Sequence, residues 1–391
     1  MLKPEFKLYI QKYFIVILIL ALIPSISYGI WFFYPSNSLG VLVIDKTVPN
    51  NTYWEHESIF WVLEHNKYIT NTGNFYEANK DYYGFFPGNS ANRGIVKDLS
   101  NLSDSEMKKR VSELDVIFLA DTYGVYENNF NTGSREDFSK KIYGGLDAVD
   151  IRMLKEAVAQ EKTVIAEFNS MASPTPKSIR AEFENIMGMK WTGWISRYFD
   201  EMDTLVNNDI PGWLIRQYLI QHDNQWVPPG PGLVFVRDDG KVETLSFNTD
   251  YQNQIPLIRT QRNNKPGFNL PEVIPYPDWF DIIMIERDYQ VISYYDINPT
   301  EQGLEKLREM GLPRFFPAAV SKNHGKGSLY YFSGDFSDQR TDLGSAKFTG
   351  LPYLWRGFHV VTDYTDRQSF FWNYYYPLTS KIFKNVYEGK E

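Results

Sequence analysis

Asp115-Val116-Ile117-Phe118-Leu119-Ala120-Asp121 decides the fold of this chain: five consecutive apolar residues, too few for a helix, stand between two acids. Such a run reads as a strand buried on both faces, which is the condition of a strand inside a parallel sheet. Working upstream, Ser103 caps a helix with an apolar stripe of Met107, Val111 and Leu114, and Gly40-Val41-Leu42-Val43-Ile44-Asp45 repeats the short apolar run ending in an acid. Thr52 is read as the N-cap of a helix through Ile59, Phe60 and Leu63 to about Tyr68, with another strand near Tyr82 to Phe86. Downstream, a helix over about Asp147 to Gln160 leads into Thr163-Val164-Ile165-Ala166-Glu167-Phe168. A further helix follows Pro174-Thr175-Pro176 and stops at the C-cap candidate Gly188. Alternation of this kind predicts right-handed crossovers onto a mostly parallel, doubly wound α/β sheet over residues 39–190.

The rhythm changes over residues 191–296, which read as a β-rich insertion. Asp239-Gly240 sits between alternating flanks as a hairpin turn, and Ile282 to Ile285 with Gln290 to Tyr294 reads as a second strand pair. Residues 297–391 read as a return to the α/β sheet, through the helix Thr300 to Met310 and the strand Gly327 to Asp335, followed by a C-terminal helical segment.

At the other end, Phe14 to Phe33 carries no charge and follows Lys3, Lys7 and Lys12. At about 1.5 Å per residue such a helix crosses a hydrocarbon core of roughly 30 Å. Lysines before the span predict residues 1–13 in the cytoplasm, residues 14–33 in the membrane and an extracytoplasmic body. The competing reading is a cleaved signal peptide with Pro24-Ser25-Ile26-Ser27 near the cleavage region. Hydrophobicity resumes through Ile30-Trp31-Phe32-Phe33, and Trp31 with Tyr34 suits an aromatic belt, so an uncleaved anchor is the expectation.

A net charge of −8, with no basic cluster interleaved with aromatics, argues against nucleic acid as a partner. Cysteine is absent, which removes disulfides, thiolate catalysis and cysteine-ligated zinc. The five histidines are dispersed, and His56-Glu57 lacks the second histidine of a zincin. No metal or cofactor is expected, and the one carboxylate set considered for a hard cation is Asp335 and Asp338 with Asp121. Aromatics make up 16% of the chain, and Trp191-Thr192-Gly193-Trp194 and Asn373-Tyr374-Tyr375-Tyr376 place them in polar company. Such residues fill a core with a wet polar tip or face a glycan.

Open parallel sheets bind ligands at the carboxyl ends of their strands. The candidate crevice therefore comprises Asp45, Asp121, Tyr123, Glu167, Asn169, Ser170 and Asp335, with Arg197 reaching over to pair with Glu167 or Asp121. Asp121 and Glu167 are also the pair that a glycosidase would use as acid and base.

The acid after the first strand, Ala120-Asp121-Thr122-Tyr123 and the strand-to-helix turn Glu167 to Ser173 resemble the class I glutamine amidotransferase-like fold, as found in membrane-anchored bacterial proteins. The resemblance spans residues 39–190 and 297–340. It implies a cysteine nucleophile between glycines, assisted by a His-Glu pair, but Asn169-Ser170-Met171 stands at the comparable turn. Glutaminase activity is accordingly not expected. Ser170 lacks the Gly-x-Ser-x-Gly elbow, and a role in capping the following helix is its expected part. The chain then reads as a pseudoenzyme. It is expected to bind or scaffold at the outer face of the plasma membrane, in envelope or exopolysaccharide assembly, with envelope glycan or membrane glycosyltransferase machinery as partner. The alternative is a carboxylate-dependent hydrolase of envelope polysaccharide.

Overall fold

A computed structural model describes residues 4–88, 93–130, 139–261, 267–361 and 366–389, so Lys3 of the expected charge bias lies outside the described residues. Its centre is a ten-stranded mixed sheet. Five parallel strands form the heart, in the spatial order Tyr82–Pro87, Val41–Asp45, Val116–Asp121, Thr163–Glu167 and Gly327–Phe332. In chain order this is second, first, third, fourth, fifth, so the winding direction reverses between Val41–Asp45 and Val116–Asp121. In open α/β sheets such a reversal is where the loops at the carboxyl ends part and ligands bind.

Alternate side chains of the parallel strands feed two cores. Val41, Val43, Phe118, Ala120 and Ile165 pack toward the helix Glu57–His65 and the C-terminal helix Tyr376–Glu388. Leu42, Ile44, Ile117, Leu119, Val164 and Ala166 pack toward the helices Asp104–Ser112, Ala148–Ala159 and Lys177–Met187. Helix boundaries follow local chemistry. Ser103 and Glu106 form a reciprocal capping box, Asp147 accepts from the Val149 and Asp150 amides, and Gly188 takes the left-handed C-cap at φ 66°.

Antiparallel strands flank the parallel heart: Gly94–Lys97 at one edge, and Phe316–His324, Gln290–Asp296, Leu257–Thr260 and Val273–Pro275 at the other, so the sheet is mixed around the expected parallel centre. At the second of these edges the hairpin turn after His324 reverses the chain, and every strand added beyond it pairs antiparallel. The stretch 191–296 is also divided between two sheets. Met189–Phe199, Gly232–Arg237, Val242–Ser246 and Phe280–Ile285 form a separate four-stranded antiparallel sheet, while three other strands of the stretch extend the large one. Phe280–Ile285 and Gln290–Asp296 are thus both strands but do not pair with each other. Finally, the helix expected from Thr52 starts at Glu57, because Thr52 bonds Asn50 and the His56 ring turns back to Asp45.

One helix, Pro4–Phe33, precedes the sheet, and its Lys12–Phe33 portion is long and apolar enough to cross a membrane. The helix continues through Pro24-Ser25-Ile26-Ser27, where Ser25 Oγ donates to the Ala21 carbonyl at 2.9 Å. Its end is fixed to the body. Lys67 Nζ donates to the carbonyls of Trp31, Phe32 and Tyr34 at 2.6 to 3.1 Å, satisfying acceptors left over at a helix C-terminus.

Candidate functional site

The carboxyl edge of the parallel strands gathers the acids that end them. Asp45 and Asp121 are cross-strand partners, and Glu167 ends the next strand on the same edge. Asp45 is fully buried. Its Oδ2 lies 2.6 Å from His56 Nδ1, and its Oδ1 accepts from the Thr47 amide at 2.8 Å. His56 Nε2 lies 2.9 Å from the Ala78 carbonyl. The ring thus bridges the acid at the end of the first strand and the carbonyl of Ala78, tying the loop 46–56 back onto the sheet.

The other acids are held differently. Asp121 Oδ1 accepts from the Tyr123 amide at 2.7 Å, yet burial and the Asp45 charge push the Asp121 carboxyl up to about 7. Glu167 Oε2 accepts from the Ser337 amide at 2.9 Å while Oε1 is buried with no hydrogen-bond partner among the described residues, and burial pushes this carboxyl up to about 8. Half-buried Glu55, on the loop after the first strand, is pushed up to about 9 by burial and by Asp45. Asp335 is raised well above the carboxylate range by burial and by Asp338, Asp121 and Glu167; Asp338 is raised by burial, opposed by Arg340 at 3.2 Å. No group of three metal-ligating residues with the right placement occurs among the described residues, so Asp335, Asp338 and Asp121 do not form the cation site considered from sequence.

Ser170 is fully buried, and its Oγ donates to the Glu167 carbonyl at 2.7 Å. That bond tightens the turn after the strand and leaves the hydroxyl pointing away from solvent. Neighbouring Asn169 holds the left-handed conformation at φ 69°, which asparagine tolerates, and its carbonyl accepts from Thr122 Oγ1 at 2.9 Å, tying two strand-end loops together. Arg197 does not reach the acids. Its guanidinium stacks over Phe199 at 4.8 Å and Trp279 at 5.9 Å, and among the described residues it forms no ion pair with Glu167 or Asp121. The second sheet turns that strand's alternate faces, and this register aims residue 197 at its own aromatics.

Beside the acids lies an open cleft of about 520 Å³ between the strand-end loops and the second sheet. Tyr123, Tyr126 and Asn169 form one wall, and Trp191, Ile195 and Trp213 are among the residues of the other. The Tyr123 and Tyr126 rings lie 4.9 Å apart, and Tyr123 is 46% exposed although it is large and apolar. The sole carboxylate among the described lining residues is Asp238, which is engaged by Arg180 at 3.0 Å. Asp121 and Glu167 are absent from that lining.

The edge therefore unites Asp45, Asp121, Glu167 and Asp335, and assigns Tyr123 and Asn169 to the neighbouring cleft. Sequence reasoning missed the roles of Glu55, His56 and Arg340, and of the cleft residues Tyr126 and Trp213. The His56 signal was a polar residue eleven positions past a strand-end acid, which becomes informative only when the intervening loop folds back. Trp191 was noticed as an aromatic in polar company, and it lines the cleft, whereas its neighbour Trp194 and both Tyr374 and Tyr375 are core.

No family model and no curated protein matches the sequence. Among solved structures the chain is similar to a protein described as ThuA-like from Bacteroides uniformis, at 10% identity and a TM-score of 0.36, over 84% of this chain and 92% of that one. It is also similar to two cytoplasmic proteins of Salmonella typhimurium. For STM1381 the identity is 10% and the TM-score 0.32, over 83% and 100% of the two chains; for STM3548 they are 12% and 0.32, over 82% and 97%.

Proposed function

We propose that this chain is a membrane-anchored binding or scaffolding protein whose body, at the outer face of a bacterial plasma membrane, holds a glycan of the cell envelope. The observation that carries this reading is the aromatic cleft. Tyr123, Tyr126, Trp191 and Trp213 offer ring faces for sugar rings, Asn128, Asn129 and Asn169 offer amides for hydroxyls, and the lining carboxylate Asp238 is already paired. Chemistry needs a positioned base or nucleophile beside the ligand. Ser170 is buried and committed to a carbonyl, so it supplies neither. The span Lys12–Phe33 and the lysines before it support the anchor and its orientation.

The test is tryptophan fluorescence of the full chain in detergent, titrated with soluble envelope oligosaccharides. Saturable quenching is expected, and Trp191→Ala and Trp213→Ala should each weaken it about tenfold or more. Unchanged binding by both variants would remove the cleft from the reading.

One observation favours a second reading, hydrolysis of an envelope polymer. Asp121, Glu167 and Glu55 share one edge and are raised to about 7, 8 and 9, values that suit acid and base work near neutrality. Release of reducing ends by the wild-type chain, abolished by Asp121→Asn with folding intact, would decide for the hydrolase.

A further inference from the structure

The helix Leu351–Phe358 presents an apolar face that the body does not cover. Tyr353 is 79% exposed, Leu354 54%, Phe358 68%, and Val360 just beyond it 62%. A contiguous apolar patch on a folded body marks a contact surface. Its position identifies the contact. Ser27 Oγ donates to the Thr349 carbonyl at 2.8 Å, and the Tyr28 and Phe348 rings lie 6.1 Å apart, so the residues just before this helix touch the spanning helix well short of its end. From Ser27 to Phe33 the helix rises roughly 9 Å at 1.5 Å per residue. The exposed face of Leu351–Phe358 thus lies at the depth of the outermost turns of the span, where an amphipathic helix buries its apolar side at the headgroup and acyl-chain boundary.

Between these two helices and the C-terminal helix Tyr376–Glu388 lies a second cavity, of about 760 Å³. Trp31 and Tyr34 line it from the span, and Lys67, Arg356, Lys381 and Lys384 bring four cations against one acid, Glu388, which stands 3.5 Å from Lys384. Lys67 is occupied by three carbonyls of the spanning helix. Lys384 has Glu388, so Arg356, whose guanidinium donates to the Asn269 carbonyl at 3.4 Å, remains with Lys381 to face an anion. Cations at this depth meet lipid phosphates.

We propose that this cavity holds the phosphate-bearing headgroup of an anionic lipid, with the helix Leu351–Phe358 lying in the headgroup layer beside the span. The inference rests on the membrane reading and goes beyond it: the body is seated on the leaflet in one pose rather than swinging on its anchor. Seating would also fix the height and direction from which the aromatic cleft meets its ligand.

The chain contains no cysteine, so single cysteines report on it without background. Tyr353→Cys, Phe358→Cys and, on the remote hairpin, Asp239→Cys are labelled with an environment-sensitive fluorophore in the full chain, reconstituted in phosphatidylcholine vesicles with and without phosphatidylglycerol. Labels at 353 and 358 should be quenched by brominated acyl chains and shielded from aqueous iodide, and the label at 239 should behave oppositely. Iodide access at 353 and 358 equal to that at 239 overturns the seating. Crosslinking between 353 positions of two copies, without acyl-chain quenching, also overturns it and assigns the face to a second copy. For the cavity, native mass spectrometry of the detergent-released chain should show phosphatidylglycerol retained over phosphatidylcholine. Arg356→Gln with Lys381→Gln should lower that preference on the order of tenfold or more, at about fivefold per charge, with the melting temperature unchanged. Equal retention by variant and wild type overturns the headgroup site, as does complete displacement of the lipid by millimolar inorganic phosphate. Alkaline carbonate separates the two levels: release of the chain from membranes refutes the anchor itself, while retention with water-exposed labels refutes only the seating.

Discussion

His56 and Asp45 show how much a single pair holds in this fold. Both are fully buried, and His56 Nδ1 lies 2.6 Å from the Asp45 carboxyl at the end of the first strand. His56→Phe keeps the packing against Tyr82, whose ring centroid lies 4.6 Å away, but leaves Asp45 Oδ2 without the His56 contact in a buried site. The expected loss is about 1–3 kcal/mol in denaturant unfolding. Adding Asp45→Asn should recover much of it, and full additivity of the two changes would refute the pairing. Ser170→Ala removes one buried hydroxyl bond to a carbonyl. A loss of about 1 kcal/mol is expected, with no change in turnover of any glutamine or ester substrate. A drop of roughly a thousandfold in turnover with folding intact would mean that the hydroxyl is a nucleophile after all.

Among the elements, the N-terminal helix Pro4–Phe33 is held at its end by a side chain from the body. Lys67 supplies the ammonium that its last carbonyls lack, and the Trp31 ring lies 4.7 Å below that ammonium. Lys67→Met keeps the aliphatic stem and removes the three donors. Amide hydrogen exchange of the segment 31–35 should then accelerate roughly ten- to hundredfold, corresponding to about 1.5–3 kcal/mol for hydrogen bonds to a charged group. Exchange unchanged from wild type would show that packing of Trp31 alone fixes the joint.

At the scale of the whole molecule the unpaired acids set a pH dependence. Asp121, Glu167 and Glu55 are raised in the folded state, and so is Asp281, pushed up to about 7 by burial although Tyr331 donates to it. Unfolded carboxyls titrate at about 4. Between about pH 4 and pH 7 to 9 the folded chain therefore holds more protons than the unfolded one, and stability falls as pH rises through that window. Thermal melts should be higher near pH 5.5 than near pH 8, and Glu167→Gln should flatten the difference by stabilising the alkaline end. A melting temperature that climbs from pH 5.5 to 8 would show these acids to be ionised in the fold. The membrane reading makes its own prediction. Protease added outside intact spheroplasts should digest the chain beyond about Phe33, and protection until detergent is added would reverse the orientation.

The strands, caps and crossovers of residues 39–190 were legible because each rests on near neighbours. Five apolar residues between acids make Val116–Asp121 a buried strand, Ser103 and Glu106 close their box three residues apart, and Gly188 is free to take φ 66°. The acids Asp45, Asp121, Glu167 and Asp335 were legible for the same reason, since parallel strands deliver their ends to one edge whatever the loops do. Partner choice is not local. Phe280–Ile285 and Gln290–Asp296 look like a hairpin in the chain, and only the space left beside Met189–Phe199 and Phe316–His324 sends them to different sheets. Arg197 likewise follows the twist and register of its own sheet to Phe199 and Trp279, and His56 finds Asp45 only because the loop between them folds back. Sequence alone thus determined which segments are strands and helices, and that a helix long and apolar enough to cross a membrane precedes them, because hydrophobic period and capping act over a few residues. Tertiary structure decided which strands pair, which acids keep a counter-charge and where an open cleft remains, because these depend on burial by residues distant in the chain.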